Sequence, residues 1–362
     1  MTDQTPSKPI VAPGGPIDLS LLVGASFRCR PQCGLCCYTT PAVSGPEAAQ
    51  LIHLDPATPL LEGDGGWGFV ASQGDGGACH FLARTRCGAY GVRPFTCREF
   101  PISVHLGLRA QATVVLSCPG VEFPGWSAGP GDPEGSETPQ GLEEELAAVD
   151  REFRQAPAAM RLKENARRWA AFRRRQDRAD AWQEPDEIRR SLGPRMRSLV
   201  RDAFPPPAPP SRSEGIESLP IVFEPGVGRL GIAEHRGGWE LLSLEEGGSP
   251  PGSLGIWPPA DEPPQMTPEG ERALDRYLDY LLRREFTYWA AAAQIPRADA
   301  RSLLDEVRSD IGRFGAMVLA RAELIDRFRH GESSTLDGPL VWAGVRATDG
   351  EFLDRPTLGW VL

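Results

Sequence analysis

All eight cysteines of this 362-residue chain, Cys29, Cys33, Cys36, Cys37, Cys79, Cys87, Cys97 and Cys118, fall in its first third. Thiols this dense serve as disulfides or as metal ligands. The opening residues lack a basic segment followed by an apolar one, so the sequence predicts a cytoplasmic protein, where clustered thiols are metal ligands. The run from Cys29 to Cys37 has the form C-x3-C-x2-C-C, and Gly34 within it lets the backbone curl so that several sulfurs can reach one centre. A regular helix or strand would not allow this. Neighbouring Cys36 and Cys37 point in different directions, so they serve different sites or only one of them is a ligand. Cys79, Cys87 and Cys97 form a second group, and Cys118 closes the set before Pro119 and Gly120. Eight thiolates suffice for two four-cysteine sites, or for one cluster with auxiliary thiols.

The arrangement resembles a known family. After the C-x3-C-x2-C-C run come C-x-F-L from Cys79, a turn, C-x-x-Y-x-x-R-P-x-x-C-R-x-F-P from Cys87 to Pro101, and a last cysteine before Pro-Gly. This is similar to the YkgJ-type cysteine-cluster proteins over the stretch from Phe27 to Gly120. The resemblance implies a zinc- or iron-chelating domain, often labelled an iron–sulfur oxidoreductase. It places all eight cysteines, together with Tyr90, Arg93, Pro94, Arg98, Phe100 and Pro101, in the motif. His80 stands where the family commonly has proline.

The spacing bears on which metal is held. Only Cys33 and Cys36 have the C-x2-C spacing of a zinc knuckle, whereas Cys29, Cys33 and Cys36 reproduce the C-x3-C-x2-C spacing of radical S-adenosylmethionine enzymes. An iron–sulfur cluster, of the 4Fe-4S type, is therefore expected ahead of the alternative, Zn. Radical enzymes resemble one another in a downstream barrel of strand–helix units, which this sequence does not spell out. A distant similarity of the cysteine pattern to flagellin lysine methylases keeps methyl transfer as an alternative. Three readings result: an iron–sulfur protein with a redox or cluster-dependent role, a zinc-stabilised non-catalytic interaction module, and a cluster-dependent protein lysine methyltransferase. Arg93 and Arg98 flank Cys97 and are candidate cofactor-binding residues. They can offset the negative charge of a thiolate centre or donate hydrogen bonds to its sulfurs, the alternative being a surface ion pair with Glu99. Tyr90, Phe95 and Phe100 read as an apolar shell, and His53, His80 and His105 as incidental beside so many thiols. No nucleophile, general base or nucleotide loop stands out elsewhere, so a catalytic residue is not assigned.

The elements that must hold these side chains read as an α+β fold, an irregular cysteine-rich metal-binding module followed by helices and a small antiparallel sheet. Residues 1–20 read as a flexible tail, 21–123 as the cysteine-cluster domain, 124–140 as a linker, 141–203 as a helical segment, 204–218 as a Pro-rich linker and 219–362 as an α+β C-terminal region. In the first of these domains, Ile102 to Leu106 and Thr113 to Leu116 are expected to pair as a hairpin. Thr138 and Pro139 open an amphipathic helix through Leu142, Leu146, Val149 and Phe153, which Pro157 interrupts. A second helix carries Leu162, Trp169 and Phe172 inward and Arg167, Arg168, Arg173, Arg174, Arg175 and Arg178 outward. That basic face suits solvent or an acidic partner. A third helix is expected from Asp186 to Ala203. Ile221 to Phe223, Arg229 to Glu234 and Trp239 to Leu244 read as a meander. Helices follow from Thr267 towards Trp289 and from Asp299 to Arg329, with Val341 to Arg346 and Leu358 to Leu362 returning as short strands. The formal charge of -10 implies no general affinity for nucleic acid, and no stretch approaches a membrane span. The expected partner is another protein or an electron-transfer partner.

Overall fold

The computed structural model of the chain describes residues 17–27, 33–38, 41–62, 67–73, 78–83, 86–106, 110–123, 156–178, 181–211, 213, 219–224, 227–244, 251–259, 261–296, 302–331 and 335–353. The fold is α+β, with the strands short in the cysteine half and the helices long beyond it.

The cysteine half is a set of small antiparallel ladders. Its two ends are tied by β1 (Ser26–Phe27) against β11 (Val121–Glu122), in the register Phe27↔Val121. Between them lie β2 (Ala42–Ser44), β3 (Leu60–Glu62) and β4 (Trp67–Val70) in the order β2-β4-β3, then the pairs β5 (Ser72–Gln73) with β6 (Ala78–Cys79) and β7 (Leu82–Ala83) with β8 (Arg86–Cys87). Helix α1 (Gly45–Leu54) starts where Ser44 and Glu47 form a capping box, Glu47 Oε2 accepting from Ser44 N at 2.9 Å. The short α2 (Phe95–Glu99) follows Pro94, which forms its N-cap. Then β9 (Ile102–Leu106) and β10 (Ala110–Val114) form the expected hairpin, Ala112 facing Val104.

This hairpin does not belong to the cysteine half alone. Every residue of β10 is buried, an all-buried pattern that fits a strand covered on both faces. Ile102, Val104, Ala112, Val114 and Leu116 enter the main core beside Tyr277, Leu278, Ile311 and Val341 of the distant helices. These are α3 (Ala156–Arg178), α4 (Pro185–Leu192), α5 (Met196–Asp202), α6 (Pro268–Arg283), α7 (Glu285–Gln294), α8 (Leu303–His330) and α9 (Gly338–Leu353). Within α3, Trp169 stacks on Trp289 of α7 with ring centres 4.9 Å apart. The 28-residue α8 is buried almost continuously from Phe314 to Asp326 and is the axis around which the other helices pack. Gly344 lets α9 cross it closely, since a Cβ there would run into Val318 O.

The sheet lies between the helices and the cysteine region. It is an antiparallel meander of β12 (Ile221–Glu224), β13 (Gly228–His235), β14 (Gly238–Ser243) and β15 (Gly252–Trp257). The last strand is one more than the sequence reading anticipates. Side chains alternate across a sheet. Val222, Leu230, Ile232, Trp239 and Leu241 pack on Ala320, Leu324 and Ile325 of α8 and on Ala343 and Ala347 of α9. Leu219, Ala233, Leu242 and Leu244 pack on Tyr38 with Ala78 and Leu82, all from the cysteine region.

Several expectations are corrected. Val341 to Arg346 is helical, not a strand: Asp337 Oδ1 accepts from Leu340 N at 2.9 Å at the start of α9, and Val341 and Val345 lie one helical turn apart in the core. Pro157 sits in the first turn of α3, where its missing N–H costs nothing, and α3 is the second of the expected helices. The helix expected from Asp186 to Ala203 is divided by a 3-10 turn over Gly193–Arg195, and the one running towards Trp289 turns at Arg284. Part of the Pro-rich stretch is packed: Pro206 and Pro209 are buried, and Pro210 O accepts from Glu234 N at 2.9 Å. The helix expected at Leu142 to Phe153 and the strand at Leu358 to Leu362 lie outside the described residues. Among the described residues no helix is long and apolar enough to cross a membrane.

Candidate metal centre

Cys36 and Cys37 lie on a 3-10 turn, Leu35–Tyr38, entered through Gly34 at φ +55°. Only a residue that tolerates the left-handed region makes that entry without strain. Cys79 ends β6 opposite Ser72, Cys87 ends β8 opposite Leu82, and Cys97 sits in α2 with its N–H donated to Pro94 O at 3.0 Å. Four separate backbone devices thus deliver five thiols. Cys37, Cys79 and Cys87 share one small apolar core with Val43, Leu51, Val70, Phe81 and Ala89.

The five thiols act on one another electrostatically. Cys36 is the acidic one: its thiolate accepts a hydrogen bond from the Cys37 thiol, and Arg93 adds positive charge, so its pKa falls to about 7 against the opposing cost of partial desolvation. Cys37 moves the opposite way, far above the ordinary thiol range, because it is the donor in that bond, is buried, and feels Cys36, Cys87 and Cys79. Burial raises Cys79 and Cys87. Burial together with the charges of Cys79, Cys36 and Cys87 pushes Cys97 up to about 12, against the pull of Arg93. Four crowded thiols therefore hold their protons, and each would give its proton up to a cation placed among them.

The donor chemistry fits a borderline or soft metal such as zinc or iron. The ligand set is not closed: among the described residues no three His, Cys, Asp or Glu side chains converge tightly enough to hold one ion as they stand. Cys33 is buried near the same turn, and Cys118 is buried in the main core rather than in the small core around Cys79. Cys29 lies outside the described residues. The structure thus groups five of the eight sequence-predicted ligands and places Cys118 in other surroundings.

The two candidate arginines differ. Arg93 Nε donates to Tyr90 O at 3.2 Å, its guanidinium lies 3.7 Å from the Tyr90 ring centre, and its charge reaches Cys36, Cys87 and Cys97. Arg98 lies 3.8 Å from Glu47, which completes the capping box of α1, and the side chain of Glu99 lies outside the described residues. Tyr90 is 66% exposed and forms no apolar shell, whereas Phe100 packs against the main core. His80 pairs with Asp55 at 2.7 Å, and His53 is exposed on α1. Buried His105 bonds Thr113 at 3.1 Å, and burial, with Arg284 nearby, holds its pKa down to about 3. None of the three belongs to the thiol group.

One contact to the cysteine turn has no signal in the motif. Arg229, on β13, donates from Nη1 to Cys33 O at 3.3 Å. Its sequence neighbourhood spells only a strand.

Fold and site together describe a metal-binding protein with a group of thiols on short irregular ladders. Comparison with known families agrees over that segment: residues 28–119 match the family described as "CxxCxxCC: Putative zinc- or iron-chelating domain", the likeness read from the cysteine spacing. The match takes in all eight cysteines and stops short of the long helices and the sheet. No curated protein and no solved structure matches the chain.

Proposed function

We propose that the chain is an iron–sulfur protein with a redox or cluster-dependent role, its cluster held by thiols drawn from Cys29, Cys33, Cys36, Cys37, Cys79, Cys87, Cys97 and Cys118. The observation that carries the reading is the gathering of Cys36, Cys37, Cys79, Cys87 and Cys97 in one electrostatic group. A tetrahedral zinc site and a 4Fe-4S cluster each take four protein ligands, so the number of thiols alone does not choose between them. What favours the cluster is the C-x3-C-x2-C spacing of Cys29, Cys33 and Cys36, set against a single C-x2-C knuckle for zinc. Arg93 offsets part of the negative charge such a centre carries, which favours its reduced state. Cys36 is exposed, as is Tyr90, so electrons have a short way to a docked protein partner. When bound, the cluster supplies one-electron chemistry; the chain binds it, excludes water from most of its sulfurs and tunes its charge.

Anaerobically purified protein tests this. It should be brown, with acid-labile sulfide and iron in excess over zinc, and Cys79→Ser and Cys97→Ser should each lower colour, sulfide and iron together. Folded protein that is colourless and holds only zinc overturns the iron–sulfur reading and leaves a zinc-stabilised interaction module in its place.

A further inference from the structure

Arg229 begins in the C-terminal sheet and ends in the cysteine region. Its backbone pairs with Phe223 across β12 and β13, and its carbonyl accepts from Leu244 N at 3.0 Å. The side chain is 5% exposed. Nη1 donates to Cys33 O, and the guanidinium carbon lies 5.3 Å from the centre of the Tyr38 ring. It also rests on Gly34, where an added Cβ would come within 3.2 Å of Nη1. The guanidinium thus spans the Cys33–Tyr38 turn, with a carbonyl at one end and an aromatic ring at the other.

What it lacks is an anion. Nε is buried with no hydrogen-bond partner, and among the described residues no carboxylate pairs with this arginine. Glu224, on the paired strand, is taken by Arg329 through two bonds of 2.7 Å. A guanidinium does not give up its proton, and a buried charge needs a counter-charge. A carbonyl and a ring supply only partial ones. Among the described residues, the turn that the guanidinium spans carries the thiols of Cys33, Cys36 and Cys37, which become thiolates when they bind metal.

We infer that Arg229 is a positioning residue of the metal centre, a cation carried by the C-terminal sheet to the Cys33–Tyr38 turn to fix its backbone and balance metal-bound thiolate charge. This rests on the metal-binding reading of residues 28–119 and holds for zinc or iron alike. It extends the site beyond the family match to a strand more than a hundred residues away, and it gives the sheet a reason to pack on Tyr38.

The consequence has opposite signs with and without metal, which a purely structural arginine would not produce. In the metal-free protein Arg229 is a buried cation without its anion, so Arg229→Met should leave the melting temperature unchanged or raise it. In metal-loaded protein the same change removes the counter-charge. Full-length wild type, Arg229→Met, Arg229→Lys and Gly34→Ala are stripped of metal, melted, loaded with Zn2+ and challenged with EDTA. Arg229→Met should release zinc at least about tenfold faster than wild type, the scale of lost outer contacts to metal ligands. Arg229→Lys, which keeps the charge but not the planar fork, should fall between them, and Gly34→Ala, whose Cβ crowds Nη1 at a left-handed position, should release zinc faster and, unlike Arg229→Met, also melt lower without metal. An Arg229→Met protein that melts lower without metal, fails to fold, or releases zinc at the wild-type rate overturns the inference while leaving metal binding intact. Wild type that takes up no zinc overturns metal binding and the inference together.

Discussion

Cys36 and Cys37 are neighbours in the chain with opposite acid strengths, and the cause is a single hydrogen bond whose donor is Cys37 and whose acceptor is Cys36. An ordinary thiol ionises near pH 8.5. Cys36, at about 7, is therefore about half thiolate at neutral pH in the metal-free protein, while Cys97, at about 12, is a thiol. The thiolate is the nucleophile, so reactivity rises as pH climbs through the pKa. Alkylation of metal-free protein by iodoacetamide, read residue by residue in a mass spectrometer, should give half-maximal rate for Cys36 near pH 7, with Cys97 still unreactive at pH 9. Arg93→Gln should move the Cys36 midpoint upward, since it removes the positive charge that favours the thiolate. Equal pH profiles for the two cysteines would refute this account of the turn. The doubled C-C of the motif is visible in any sequence; which of the two sulfurs is acidic is not, because it depends on which one donates in the folded turn, with Arg93 from another segment adding to the effect.

At the scale of elements, the hairpin of β9 and β10 is fastened to the helices by buried polar contacts as well as by apolar ones. Arg284, at the turn between α6 and α7, pairs with Asp349 of α9 through bonds of 2.7 and 3.1 Å and donates to Val114 O at 2.8 Å, with both side chains fully buried. Asp349 Oδ2 also accepts from Leu116 N at 2.7 Å. Three elements meet at this one ion pair. Removing one partner strands the other charge, so Asp349→Asn should cost about 3–5 kcal/mol in a denaturant titration. Replacing both, as Arg284→Met with Asp349→Leu, should recover much of that loss, because no unpaired charge then remains. A single variant as stable as wild type would mean that the pair does not fasten the hairpin.

For the whole molecule, the family match ends at residue 119, but the packing does not. The strands before Cys118 bury Val104, Ala112, Val114 and Leu116 against helices that begin after residue 155, and Tyr38 is covered by the sheet. A fragment of residues 1–123 would expose all of these. It should bind metal weakly and give poorly dispersed amide resonances, whereas the full chain gives a dispersed spectrum; a fragment as well ordered as the same residues in the full chain would establish an independent domain. The cysteine segment is thus part of a larger assembly, meeting the helices through its hairpin and the sheet through Tyr38.

The sequence by itself determined the chemistry. Eight cysteines in one third of the chain, a curled C-x3-C-x2-C-C run and the later R-P-x-x-C-R-x-F-P stretch point to metal-binding thiols, and apolar periodicity marks α6, α8 and the meander, because those signals are local. Tertiary structure decided what depends on distant partners. Val341 to Arg346 is apolar enough for a buried strand or a buried helix, and the capping Asp337 and the facing surface of α8 made it helix. β15 has no burial signature of its own, since it lies at the sheet edge with most of its residues exposed, and it forms by pairing with β14. The grouping of five thiols away from Cys118, and the approach of Arg229 to Cys33, join residues tens to hundreds of positions apart. Spacing names the ligands, but which of them meet, and which cation faces them, is fixed only when the hairpin is buried among the helices and the sheet closes over Tyr38.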